Sequence, residues 1–111
     1  MEYDKREVGL HNSIGIALIQ MGKYEEGMEQ YKIALRLDPS NARVYHNMGV
    51  ALLRRGLIDE AEKHFRQAIN LGVEYTQPYY FLAAILKQKG KEKEAGEIYE
   101  QARRVAEQKK R

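Results

Sequence analysis

The sequence predicts an all-α fold made of three copies of one helical hairpin. The first observation behind this is a gapless repeat with a period of 34 residues: Gly22, Gly56 and Gly90 align, as do Gly27, Ala61 and Ala95, then Tyr31, Phe65 and Tyr99, then Ala34, Ala68 and Ala102. Upstream, Ile14, Met48 and Leu82 align, followed by Gly15, Gly49 and Ala83, then Leu18, Leu52 and Leu86. A fixed period of this size is the mark of a repeat architecture. The second observation is that apolar residues inside each copy recur at three- and four-residue spacing, the period of an amphipathic helix. The third is composition. With 43% hydrophobic and 32% charged residues, only two prolines and few strand formers, the chain suits helices that each keep one wet face. Its 111 residues make one domain.

Taken in order, residues 1–7 read as a polar lead-in, and 8–41, 42–75 and 76–109 as three repeats. Asp4 and Glu7 have capping-box spacing, so the first helix is expected to start near Lys5. Its stripe is Leu10, Ile14, Ala17, Leu18 and Met21, and Gly22 ends it. A second helix follows from about Tyr24 to Leu37, with Tyr24, Met28, Tyr31, Ala34, Leu35 and Leu37 on its apolar side. Asp38-Pro39-Ser40-Asn41 is a turn, and Asn41 can cap the third helix. That helix buries Val44, Met48, Ala51 and Leu52 and closes at Arg54-Arg55-Gly56. The fourth runs from about Ile58 to Leu71 around Ala61, Phe65, Ala68 and Ile69, with Gly72 beyond its end. Thr76 is a candidate cap for the fifth helix, where Pro78 in the first turn is harmless. Tyr79, Leu82, Ile85 and Leu86 form its stripe, and Gly90 ends it. The last helix is expected from Glu92 to about Glu107.

Links of two or three residues make each helix pair antiparallel. Small residues at matching heights, Gly15 with Gly27, Gly49 with Ala61 and Ala83 with Ala95, let the two helices approach, and the aromatics Tyr31, Phe65 and Tyr99 fill the space between hairpins. One hairpin cannot bury its stripe alone, so neighbours must stack. Gly27 lies mid-helix, where glycine costs about 0.5–1 kcal/mol against alanine. On propensity alone, Gly27→Ala is expected to raise the melting temperature.

This pattern resembles the tetratricopeptide repeat. The middle copy carries that family's signature as Tyr45, Met48-Gly49, Leu52, Gly56, Ala61, Phe65 and Ala68; the first as His11, Ile14-Gly15, Leu18, Gly22, Gly27, Tyr31, Ala34 and Pro39; the third as Tyr79, Leu82-Ala83, Leu86, Gly90, Ala95, Tyr99 and Ala102. The departures are His11 for an aromatic, Gly27 for alanine and Val73 for proline. The resemblance implies a right-handed α-solenoid of six helices whose first helices line a concave groove for a peptide or partner helix. On that template the lining residues are Asn12, Ser13, Ile16 and Ile19; Arg43, His46, Asn47, Val50 and Leu53; and Gln77, Tyr80, Phe81, Ala84 and Lys87. Ile16, Ile19, Val50 and Leu53 lie off the buried stripes yet are apolar, as a binding surface would be; the alternative is ordinary core between repeats.

Members of the family that hold the acidic tails of heat-shock chaperones use a basic carboxylate clamp. The resemblance would place its residues as Lys at Asn12, Asn at Ile16, Asn at Asn47, Lys at Gln77 and Arg at Phe81, and only Asn47 matches. A chaperone acidic tail is therefore not the expected partner. An apolar groove with a polar fringe suits an amphipathic helix or extended apolar peptide better, which makes the chain an adaptor or scaffold for other proteins.

Other classes fare worse. There is no Walker loop, no His-Glu-x-x-His and no nucleophile elbow. His11, His46 and His64 do not share a helix at ligand spacing, so no metal, cofactor or catalytic residue is assigned and the chain does not read as an enzyme. Residues 1–86 carry 10 Lys+Arg against 11 Asp+Glu, whereas residues 87–111 carry 9 against 5. The basic excess, including Lys87, Lys89, Lys91, Lys93, Arg103, Arg104, Lys109, Lys110 and Arg111, leaves weak nucleic-acid binding through the C-terminal helix as an alternative, which the interleaved glutamates weaken. Glu92 and Arg103 replace the apolar residues that face a following hairpin, so the last helix reads as a solvating cap. Ile98, Val105 and Ala106 are expected to stay partly exposed, leaving open a monomer, a weak homo-oligomer, or a self-assembling scaffold in which the groove or the open first-helix face takes another copy. No cysteine, no signal-peptide core and no apolar run of about 18 residues point to a cytoplasmic protein without a membrane partner.

Overall fold

A computed structural model describes residues 4–109. These form six helices: α1 (Lys5–Gln20), α2 (Tyr24–Leu37), α3 (Ala42–Arg54), α4 (Ile58–Asn70), α5 (Gln77–Gln88) and α6 (Glu92–Lys109). α1 packs on α2, α3 on α4 and α5 on α6 as hairpins; α2 then lies against α3 and α4 against α5, giving an all-α solenoid.

Local chemistry explains the bounds. Asp4 Oδ1 accepts from the Arg6 amide at 2.9 Å, and Asn41 Oδ1 from the Val44 amide at 3.1 Å, so both α1 and α3 begin on a side-chain cap. Thr76 does not act this way: its backbone is already helical and its hydroxyl makes no cap bond, and α5 starts instead on Pro78 in its first turn. Gly22, Gly56 and Gly90 close the hairpin turns with φ of 81°, 78° and 80°. That left-handed geometry sends the Lys23 amide back to the Leu18 carbonyl at 2.8 Å, capping α1 where a side chain would be strained.

The close approach inside hairpins is real, and it corrects one expectation. A methyl on Gly27 would stand 2.7 Å and 2.8 Å from Ile19 side-chain carbons and 3.0 Å from the Gly15 carbonyl oxygen. The helices touch there, so the helix-propensity gain of Gly27→Ala is opposed by a backbone contact that has little room to yield. Ala61, Ala83 and Ala95 fill the corresponding positions of the other hairpins and are buried.

The core runs along the solenoid. Val44, Met48, Ala51 and Leu52 of α3 and Leu82, Ile85 and Leu86 of α5 are buried. Phe65 is fully buried, its ring stacked on Phe81 at 5.1 Å with planes 4° apart, joining the second and third hairpins. At the edge that carries the hairpin turns Arg55 lies over Tyr24 at 4.3 Å, while its counterpart one repeat on, Lys89, pairs with Asp59 and Glu62 at 2.6 Å. Glu62 and Glu94 share Arg66, which ties α4 to α6.

The two ends differ from the middle. Part of the α1 stripe is open: Leu10 is 57% exposed and Ile14 37%, where the aligned Val44, Met48 and Leu82 are buried, and Met21 is exposed like its counterparts Arg55 and Lys89. No helix among the described residues covers it as α2 covers α3. Ile98, expected to be partly exposed, is buried and lies beside Ile69 and Leu82 in the seam between α6 and the second hairpin. Val105 and Ala106 are half-buried, and α6 runs to Lys109, two residues past the expected end.

Candidate functional site

The candidate site is the face shared by α1, α3 and α5. These helices are placed side by side because each begins a hairpin and each hairpin repeats the same turn. Where they converge, a cavity of about 270 Å³ is lined by Ile16 and Ile19 of α1, His46, Asn47 and Val50 of α3, and Phe81 of α5, with Tyr31 beneath. Ile16 is 37% exposed, while Ile19, Val50, Leu53 and Phe81 are half-buried against the core. The walls are therefore apolar and anchored rather than loose.

Polar residues sit at fixed places around it. Asn47 Nδ2 donates to Asn12 Oδ1 at 2.8 Å, linking α3 to α1 across the groove. Beyond Asn12 a second cavity of about 320 Å³ continues along α1 and α3 between Val8, Gly9, Asn41 and Arg43. Arg43 is exposed, with its guanidinium 4.6 Å from the centre of the Tyr75 ring. Gln77, Ala84 and Lys87 are exposed and stand outside the main cavity; Tyr80 is exposed too, its ring 6.1 Å from Tyr99. Ser13 is exposed on α1.

His46 takes a different position. It is only 8% exposed, its ring packed 5.5 Å from Phe65, 5.6 Å from Phe81 and 5.7 Å from Tyr75. It floors the groove because the third hairpin covers it. Burial, helped by the positive charge of Arg43, pulls its pKa down to about 4, so it is neutral near pH 7. Its Nδ1 and the Tyr75 hydroxyl are buried without hydrogen-bond partners. Such groups cost stability, about 1–3 kcal/mol each, and both lie under the groove. Burial likewise pushes the Tyr31 hydroxyl up to about 12, with Arg54 pulling the other way.

Sequence reasoning missed Gln20 and Arg54, each one residue beyond an assigned groove position, and both line the cavity. It also missed a segregation of charge. α1, α3 and α5 carry Lys5, Arg6, Arg43, Arg54 and Lys87 with Glu7 as their only acid, while α2, α4 and α6 hold eleven Asp and Glu. Reading the chain helix by helix, instead of as two halves, would have shown this. On α6 two of the four basic residues are engaged: Arg103 pairs with Glu100 and Glu107, and Arg104 approaches Glu100 at 3.9 Å. Lys110 and Arg111 lie outside the described residues. No helix among the described residues is long and apolar enough to cross a membrane.

Comparison with known proteins agrees with this architecture. The pattern described as TPR repeat matches residues 15–56, and patterns described as tetratricopeptide repeat match 42–72 and 76–109. Among solved structures, the second TPR of Spaghetti (RPAP3), bound to the HSP90 peptide SRMEEVD, is 28% identical with a TM-score of 0.79, over 91% of this chain and 94% of that one. The first TPR of Spaghetti, bound to the same peptide, is 25% identical with a TM-score of 0.82, over 95% and 83%. MamA has a TM-score of 0.84 at 19% identity, over 96% of this chain and 62% of that one, and shows likeness of fold. A sequence comparison with curated proteins finds no significant match. With three matches in tandem and the hairpins stacked as described, the chain belongs to the tetratricopeptide repeat family.

Proposed function

We propose that this protein–protein interaction module, an adaptor or scaffold, holds an apolar segment of a partner chain, extended or helical, in the groove of α1, α3 and α5. The observation that carries the reading is the cavity where all three helices meet, walled by Ile16, Ile19, Val50 and Phe81. Ligand sites are concave, mostly apolar and furnished with a few placed polar groups, and Asn12, Asn47, Gln20 and Arg54 answer to that here. The positive balance of the groove helices favours a segment whose apolar residues are flanked by acids. A cytoplasmic setting suits such a module.

The Spaghetti domains bind an HSP90 peptide with three acidic residues, but this groove is built for a different anchor. Of the positions at which the family's clamp holds a carboxylate, only Asn47 matches, and its amide is already engaged by Asn12. Phe81, where an arginine is wanted, is stacked on Phe65. The acidic end of a tail thus lacks its receptors, and apolar side chains supply the affinity.

The test is selection of peptides from a random displayed library on the wild-type chain, followed by affinity measurement on Val50→Glu plus Leu53→Glu. Selected peptides should be apolar with flanking acids and should lose at least tenfold in affinity on the variant, while SRMEEVD binds the wild type no better than millimolar. Peptides that bind the variant equally well would refute the groove. Micromolar binding of SRMEEVD would refute the choice of partner.

A further inference from the structure

We infer that α1 is also an interface, and that its occupant is α1 of a second copy of this chain, packed antiparallel about a twofold axis. This surface is distinct from the groove and does not rest on the reading given to it. Leu10, Ile14, Ala17 and Leu18 of α1 and Met21 at its C-cap follow one side of the helix; Leu18 is half-buried, and Leu10, Ile14, Ala17 and Met21 are open to solvent. From Val8 to Gly22 the helix has no charged residue, over more than three turns. Solvated helices normally carry charge on the wet side; this one carries aliphatic side chains instead.

Three features select a second α1 over other occupants. One is self-complementarity. If the axis passes between Gly15 and Ile16, Leu10 of one copy comes opposite Met21 of the other, and Ile14 opposite Ala17, so large residues meet neighbours along the whole stripe. The second is charge. In that register Glu7, the only acid on α1 and in line with the stripe, comes opposite position 24 of the other copy, next to Lys23, which stands just past the turn at Gly22, twice by symmetry. Glu7 and Lys23 are both exposed. Isologous contacts of this kind close on themselves. The third is the poor fit of the other end of the solenoid. On α6 the positions that cover a following helix hold Glu92 and Arg103, and Arg103 is tied into pairs with Glu100 and Glu107. Head-to-tail stacking of α6 on α1 would bury those charges.

The size of the surface sets the strength. One helix face buries on the order of 400 Å² per copy, about half of the ~800 Å² per partner found in stable complexes. The dimer is therefore a weak, transient one.

Sedimentation equilibrium on the full chain between about 10 µM and 1 mM tests this, with circular dichroism to confirm that each variant is folded. The wild-type mass should rise from 12.9 kDa towards twice that value and stop there. Ile14→Glu should remain monomeric throughout. Glu7→Lys and Lys23→Glu should each weaken association at least fivefold, and the double variant Glu7→Lys/Lys23→Glu should return to within twofold of wild type, which only a contact between these two positions produces. Val50→Glu plus Leu53→Glu should dimerise normally, separating this surface from the groove. A monomer at 1 mM, growth beyond the dimer, association that survives Ile14→Glu, or a double variant as weak as the single ones would each overturn the proposal.

Discussion

Replacing Gly49 with alanine sets helix propensity against packing at a site where both can be gauged. Gly49 lies inside α3, so propensity favours alanine by about 0.5–1 kcal/mol. Its methyl would stand 2.9, 3.0 and 3.1 Å from three atoms of the Phe65 ring. Ordinary carbon contacts are about 3.5–4.0 Å, so the ring must retreat by more than half an ångström. It has nowhere to go: Phe65 is fully buried and stacked on Phe81, with His46 at 5.5 Å. Overpacking a well-filled core costs about 1–3 kcal/mol, which set against that gain leaves a net loss of about 1 kcal/mol, and at most about 2.5 kcal/mol. For a domain of this size each kcal/mol lowers Tm by roughly 4 °C. Gly96 is the control. It also lies inside a helix, but a methyl there meets nothing within 4 Å, so Gly96→Ala should gain about 0.5–1 kcal/mol. Thermal and urea unfolding followed by circular dichroism at 222 nm reads both. Equal stabilisation by the two variants would refute the reasoning, because it would mean that Phe65 moves freely. Adding Phe81→Leu to Gly49→Ala should recover part of the loss if the stacked ring is what blocks the retreat.

Two further outcomes follow from the same structure. Gly27→Ala should fail to raise Tm and should lower it by a few degrees, because its methyl meets Ile19 and the Gly15 carbonyl; a clear rise in the urea midpoint would show that α1 and α2 can separate there without loss. His46 has a folded pKa pulled from 6.5 to about 4, so the unfolded chain binds the proton more tightly. Stability is then full above about pH 7, falls as pH drops from 6.5 towards 4, and loses on the order of 3 kcal/mol across that window. His46→Leu should flatten the urea midpoint between pH 7 and 5, and a midpoint that falls equally in wild type and variant would assign the loss to other groups.

Much of the architecture was legible because one pattern was written three times. The bounds of α2, the caps at Asp4 and Asn41, and the turn at Gly22 each followed from local chemistry that does not depend on neighbours. What could not be read depends on how many neighbours a position has. Leu10 and Ile14 share a register with the buried Val44 and Met48, yet among the described residues the second and third hairpins have another in front of them and the first has none, so Leu10 and Ile14 stay open. His46 and Tyr80 occupy the same place in successive copies. One is sealed by the third hairpin and the other is exposed at the end of the stack. The groove residues nearest the centre, Ile16, Ile19, Asn47, Val50 and Phe81, do converge on one cavity. Gln77, Ala84 and Lys87 lie beyond it, where no further hairpin among the described residues extends the wall.

The same dependence on neighbours explains why one aligned position holds glycine in the middle and alanine at the end, and what that does to the groove. Ala83 is fully buried against a helix whose aromatic, Tyr99, is exposed and free to lean outward. Phe65, the equivalent of Tyr99, cannot lean, because Phe81 lies flat on it. Position 49 must therefore stay small so that Phe65 can seat, and Phe65 must seat so that Phe81 can lie in the groove wall. Phe81 belongs at once to the core and to the binding face. Giving this chain a basic clamp would require arginine there, and removing this half-buried ring would forfeit part of the about 3–5 kcal/mol that a fully buried aromatic is worth, against the about 5–15 kcal/mol that holds a small domain together. The apolar character of the groove is thus coupled to the stacking of the second and third hairpins: the ring that joins them is also the surface a partner meets.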